Sequence, residues 1–115
     1  LWLDKVTEEV GDYAFANTKI TRCAIPTVTN VKSHAFENCN QLTIANLNSA
    51  NNIGDYAFAS CYNFSDKITL PECIEIGRYA FRNCTNLSNL TAPKCTFIDY
   101  NAFEGTKLWD VEPSA

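Results

Sequence analysis

The sequence predicts an α/β solenoid of short stacked coils. Three observations carry that expectation. A Val/Ile-x-x-x-Ala-Phe stretch recurs five times at near-constant spacing. Within each copy the apolar positions follow a helical period. A few residues later they change to the two-residue alternation of a strand.

The repeat appears as Val10-Gly11-Asp12-Tyr13-Ala14-Phe15, Val31-Lys32-Ser33-His34-Ala35-Phe36 and Ile53-Gly54-Asp55-Tyr56-Ala57-Phe58. It returns as Ile76-Gly77-Arg78-Tyr79-Ala80-Phe81 and Ile98-Asp99-Tyr100-Asn101-Ala102-Phe103. Successive phenylalanines are 21, 22, 23 and 22 residues apart. A unit this short cannot bury its own apolar face, so copies must stack on one another. The expectation is about five coils of 21–23 residues.

Counting from the Val/Ile anchor as zero, small or apolar residues fall at +4, +5 and +8. At about 100° per residue these share one arc, the buried side of a short helical turn. Asp12, Ser33 and Asp55 stand at +2, where a side-chain oxygen would cap free amides. Asn17, Asn38, Ser60, Asn83 and Gly105 stand at +7, and Asn and Gly tolerate the left-handed conformation that ends helices. Cys23-Ala24-Ile25, Ala45-Asn46-Leu47, Ile68-Thr69-Leu70 and Leu90-Thr91-Ala92 then alternate inside and outside. Pro26, Pro71 and Pro93 stop three of these strands. Corresponding strands should pair in parallel, roughly 4.8 Å apart. Repeat 1 is one residue short and repeat 3 one residue long before its strand, differences assigned to a loop.

The 115 residues amount to one domain, residues 1–115. Nine Lys and Arg against thirteen Asp and Glu give a net charge of −4, which argues against a nucleic-acid partner. No apolar run approaches a membrane span, so no membrane insertion is expected. No signal peptide is visible; the chain starts at Leu1, lacks methionine and reads as a piece of a larger protein. A single histidine, His34, leaves catalytic triads and multi-histidine metal sites hard to build. No catalytic residue, cofactor or metal site is expected. The lone Gly after the anchor in three repeats is a turn and not a phosphate loop.

The run Ile-Gly-x-x-Ala-Phe-x-x-Cys-x-x-Leu followed by x-Ile-x-Leu-Pro is fullest at Ile53 to Phe64 with Lys67 to Pro71, and at Ile76 to Leu87. It resembles the BspA-like leucine-rich repeats, from about Leu3 to Pro113. The resemblance implies a short right-handed leucine-rich-repeat solenoid, with a concave parallel β-sheet and short helical turns on the convex side. It also implies a cell-surface or secreted microbial protein, acting in adhesion or as an accessory binding region. Thr18, Asp99 and Thr106 depart from the pattern, as the ends of an array do.

Six cysteines in a short chain invite a disulfide reading. The register points elsewhere. Cys39, Cys61 and Cys84 share the +8 column with Thr18 and Thr106; Cys73 and Cys95 share a column with Val28 and Ala50; Cys23 shares one with Ala45, Ile68 and Leu90. Each is exchangeable with a small or apolar residue inside one molecule, so buried, reduced thiols are expected and no disulfide. There is no Cys-x₂-Cys pair for zinc.

Tyr13, His34, Tyr56 and Tyr79 form a +3 column, read as half-buried covering for the helical turn against the alternative of a binding strip. Trp2 and Trp109 lie near the two ends, as shields of the stack or as binding aromatics. The outward strand positions are Arg22, Ala24, Ile44, Asn46, Lys67, Thr69, Asn89, Thr91, Asp110 and Glu112. From these the candidate ligand-binding set is Trp2, Arg22, Ile44, Asn46, Lys67, Thr69, Asn89, Thr91 and Asp110. Asn-x-Ser/Thr sites at Asn63, Asn83, Asn86 and Asn89 are read as incidental to an Asn-rich repeat. The expected function is a non-catalytic binding or adhesion module with a protein or glycan ligand. The alternatives are a carbohydrate-binding accessory module of a polysaccharide-degrading enzyme and a structural spacer.

Overall fold

A computed structural model describes residues 8–108. The chain winds as a parallel β-solenoid of about four turns. Nine short strands follow in order: β1 (Glu9–Val10), β2 (Arg22–Ala24), β3 (Asn30–Val31), β4 (Ile44–Asn46), β5 (Asn52–Ile53), β6 (Lys67–Thr69), β7 (Glu75–Ile76), β8 (Asn89–Thr91) and β9 (Phe97–Ile98). Odd-numbered strands form one five-stranded parallel sheet, and the others pair as β2–β4 and β6–β8. Five anchors thus delimit four windings instead of five complete coils.

The anchor itself is a strand, not the start of a helix. Val10, Val31, Ile53, Ile76 and Ile98 align in register across the sheet. Their β-branched side chains suit a pleated surface and point into the core, while the preceding residue points out. No helix occurs among the described residues, which corrects the expectation of helical turns. Tandem β-turns take their place. In coil 3 the Ala57 amide donates to the Gly54 carbonyl, Ala59 to Tyr56 and Cys61 to Phe58, each three residues back. The intervening amides point along the stack: Tyr56 donates to the Arg78 carbonyl at 2.9 Å, Phe58 to Ala80 at 2.7 Å and Ser60 to Arg82 at 2.7 Å. A helix would turn these amides toward its own carbonyls, and the coils would lose the hydrogen bonds that join them on this side.

Left-handed residues turn the peptides this way. The +7 column, Asn17, Asn38, Ser60, Asn83 and Gly105, has φ between 60° and 80°, as its composition predicts. The +3 column, Tyr13, His34, Tyr56 and Tyr79, does the same at 55–61°. That conformation opposes an aromatic residue by about 1–2 kcal/mol each. Inter-coil hydrogen bonding and ring stacking offset the cost. Asp55 caps across the stack: its Oδ1 accepts the Arg78 amide of the next coil at 2.9 Å.

The +5 phenylalanines form the spine. Ring centroids along Phe15, Phe36, Phe58, Phe81 and Phe103 are 5.4, 5.1, 5.4 and 5.3 Å apart. Phe64 leans against both Phe58 and Phe81. Around this file lie Ile25, Leu42, Leu47, Leu70 and Leu87, all buried.

The long third repeat is not absorbed silently. Coil 3 carries one residue more than coils 2 and 4 between its phenylalanine and its strand, at Ser65-Asp66. The strands on either side, β4 and β6, do not pair. A one-residue difference separates coils 1 and 2 as well, yet β2 and β4 keep full register, as do β6 and β8, Lys67 with Asn89 and Thr69 with Thr91. The expected single sheet on this side is therefore two pairs separated by a gap.

Candidate functional site

The predicted outward residues do face solvent. Arg22, Ile44, Asn46, Lys67, Thr69, Asn89 and Thr91 are exposed, and Ala24 is half-buried. The register places Arg22 beside Ile44 and Ala24 beside Asn46, then Lys67 beside Asn89 and Thr69 beside Thr91. Trp2, Trp109, Asp110 and Glu112 lie outside the described residues. Tight local turns hold the face: the Asn46 Oδ1 accepts the Asn48 amide at 3.1 Å, and the Ser65 Oγ accepts the Lys67 amide at 3.3 Å.

Between the two strand pairs lies a cleft of about 210 Å³. Ile44, Ala45, Phe64 and Ile68 give it an apolar interior, and Asn48, Ser65, Lys67 and Thr69 complete its lining. Ile44 is 48% exposed at its edge. Sequence reading marked Ile44 as the odd apolar residue on a polar face, but the cleft beside it follows from the break in the sheet.

A second concavity was not anticipated. It has a volume of about 490 Å³ and runs over the five-stranded sheet, across the coils. Asn30, Asn52, Glu75 and Phe97 contribute from the position before each anchor; Asp55 and Arg78 contribute from the turns. The only sequence signal was a residue facing out before each buried anchor, and two-residue strands are too short for alternation to reveal them.

The +3 column is a ladder of rings: Tyr13 and His34 stack at 4.4 Å, His34 and Tyr56 stack at 4.8 Å, and Tyr79 lies tilted by 31° against Tyr56 at 5.2 Å. His34 is one rung, and its Nδ1 lies 2.8 Å from the Glu37 carboxylate. Arg82 sits over the Tyr79 ring at 5.1 Å. Because the rings cover one another's faces, the inner rungs offer edges alone to a ligand.

All six cysteines are buried and unbridged. The +8 thiols have a role that the sequence did not reveal. Cys39 donates to the Phe15 carbonyl at 3.1 Å, Cys61 to Phe36 at 3.3 Å and Cys84 to Phe58 at 3.1 Å, each in the preceding coil. Thr18 and Thr106 donate instead to Phe15 and Phe103 of their own coils. The column selects a small side chain with a donor, which is why Cys and Thr exchange there. Burial pushes the Cys23 thiol up to about 11 and Cys73 up to about 12, and raises Cys39 and Cys95. Contact with the Cys84 thiol, then burial, raises Cys61. Thiols held neutral are poor nucleophiles.

Two measurements follow. Six free thiols should titrate in denaturant without reductant, and few in the native protein at pH 8; a denatured count near zero would contradict buried thiols. Unfolded cysteines ionise near their ordinary 9.0, whereas Cys23 and Cys73 in the fold hold their protons to about 11 and about 12. The folded state then binds more protons above pH 9, so the thiol contribution is full below pH 9 and is lost as pH rises through 11 to 12. Urea midpoints at pH 8 and pH 10 should fall in that order, and equal midpoints would contradict it.

Among the described residues no group of three His, Cys, Asp or Glu could hold a metal ion, and no helix is long and apolar enough to cross a membrane. Parallel coils, an interior phenylalanine file and outward polar columns define a leucine-rich-repeat solenoid. The family model described as BspA type leucine-rich repeat region, six copies, matches residues 8–114, and the chain belongs to that family. No curated protein and no solved structure matches it.

Proposed function

We propose that this chain is a non-catalytic protein-binding module of a cell-surface or secreted microbial protein, acting in adhesion. Membership of a repeat family suited to protein interaction supports the reading. The observation that carries it is the interrupted face: exposed Ile44 and a partly apolar cleft lie at the centre of a polar surface. Interfaces concentrate energy in such a central apolar anchor ringed by polar residues. Arg22 on β2 and Lys67 on β6, in the coils before and after Ile44, add positive charge and favour a partner with an apolar side chain flanked by carboxylates.

Substitution Ile44→Asp tests it. Adhesion of the parent protein to its target surface should weaken at least tenfold, since a charge at a desolvated anchor costs about 2 kcal/mol or more. The fold should persist, because Ile44 is half in solvent. If adhesion survives both Ile44→Asp and the triple change of Asn46, Thr69 and Thr91 to alanine, the chain serves as a spacer and the proposal fails.

A further inference from the structure

We infer that the groove over the five-stranded sheet binds a short neutral oligosaccharide. This site is separate from the interrupted face around Ile44 and does not depend on it.

The groove floor is a file of side chains in strict register. Asn30 lies beside Asn52, Asn52 beside Glu75 and Glu75 beside Phe97. All four point outward because the next residue in each strand is turned into the core. Each interior strand of this sheet is paired on both sides, so its backbone groups bond to neighbouring coils. A peptide added as a further strand needs a free edge, and β3, β5 and β7, which carry Asn30, Asn52 and Glu75, have none. Recognition there must come from side chains.

Those side chains suit hydroxyl groups. Neither the Asn30 nor the Asn52 carboxamide makes a hydrogen bond within the described structure, although both residues are half-buried. Each carboxamide offers two donors and an acceptor, a match for a sugar hydroxyl that both donates and accepts. At the end of the file Phe97 is 50% exposed, an apolar platform for the C–H face of a pyranose.

Charge selects the class of glycan. Asp12, Asp55, Glu75 and Asp99 line the groove against Lys32 and Arg78, which disfavours sulfated or uronate-rich chains. Two of the carboxylates are already engaged: Asp55 accepts the Arg78 amide, and Asp99 accepts the Asn101 amide at 3.0 Å. Carboxamides occupy the floor beneath coils 2 and 3, so a basic peptide finds less there than a neutral sugar does.

Calorimetric titration of the whole chain with cellohexaose, xylohexaose, mannohexaose and maltohexaose tests the inference. A heparin hexasaccharide and an oligolysine peptide are the charged comparators. At least one neutral sugar should bind. Asn52→Ala, Asn30→Ala and Phe97→Ala should each weaken it at least fivefold, and Thr69→Ala and Ile44→Asp should leave it unchanged. Amide chemical-shift changes on the wild-type protein should centre on Asn30, Asn52 and Glu75, a readout that survives if a variant fails to fold. Failure of every neutral sugar to bind, tighter binding of either charged comparator, or shifts centred elsewhere would overturn the site. Loss of the Ile44→Asp adhesion effect with retained sugar binding would overturn the adhesion face alone.

Discussion

Replacing Phe58 with alanine destabilises the protein by about 3–5 kcal/mol, the range for removing a buried aromatic ring. Phe58 is fully buried and contacts three rings: Phe36 and Phe81 above and below it in the file, and Phe64 from the side. Collapse of the coil cannot refill the hole, because the backbone on both sides is held by amides such as Phe36 to Ala57 and Phe58 to Ala80. Phe15, half-buried, meets one ring of the file, and Phe103 likewise meets one. Urea unfolding should rank Phe58→Ala well above Phe15→Ala and above Phe103→Ala. Equal small losses at all three would mean that the rings do not share one interior file.

Gly54→Ala should cost about 1–3 kcal/mol, the usual penalty of overpacking. A methyl group there would lie 2.8 Å from the Lys32 carbonyl carbon and 2.9 Å from both the Ser33 nitrogen and the Val31 oxygen. These are backbone atoms of the neighbouring coil, so no rotamer change relieves the clash. The same change at Gly11 would meet nothing within 4 Å and should stay within about 0.5 kcal/mol. Lys32 and Asp99 occupy this column in coils 2 and 5, so the column does not demand glycine everywhere. The demand arises where coil 3 approaches coil 2, and again where coil 4 approaches coil 3, since a methyl at Gly77 would lie 2.9 Å from the Asp55 nitrogen. A neutral Gly54→Ala would show that coils 2 and 3 can move apart to admit the methyl group.

Repetition made the stacking legible. Phenylalanine at a 21–23 residue interval demanded a file, and Asn or Gly at +7 marked left-handed turns that the chain does adopt. The same repetition let cysteine be read as a core residue. Local form is not legible in the same way, because apolar residues at +4, +5 and +8 suit tandem turns as well as one turn of helix. What excludes the helix is the need of the odd-placed amides to reach the next coil, a tertiary demand invisible in any single repeat. Tyr56 gives no warning that it will take a positive φ, since tyrosine has no side-chain chemistry favouring that region.

The candidate faces divide in the same way. Outward polar positions such as Asn46, Thr69 and Thr91 follow from strand alternation alone. The cleft beside Ile44 required knowing that β4 and β6 would not pair, whereas β2 and β4 pair across a length difference of the same size. Likewise, the Asn30–Asn52 file exists because coils placed 22 residues apart in sequence come into contact in space. The order of residues therefore determined that this chain stacks, what fills its centre and where its turns lie. Hydrogen bonding between coils decided how each turn is built and where the surface opens, because those bonds join residues that no local pattern connects.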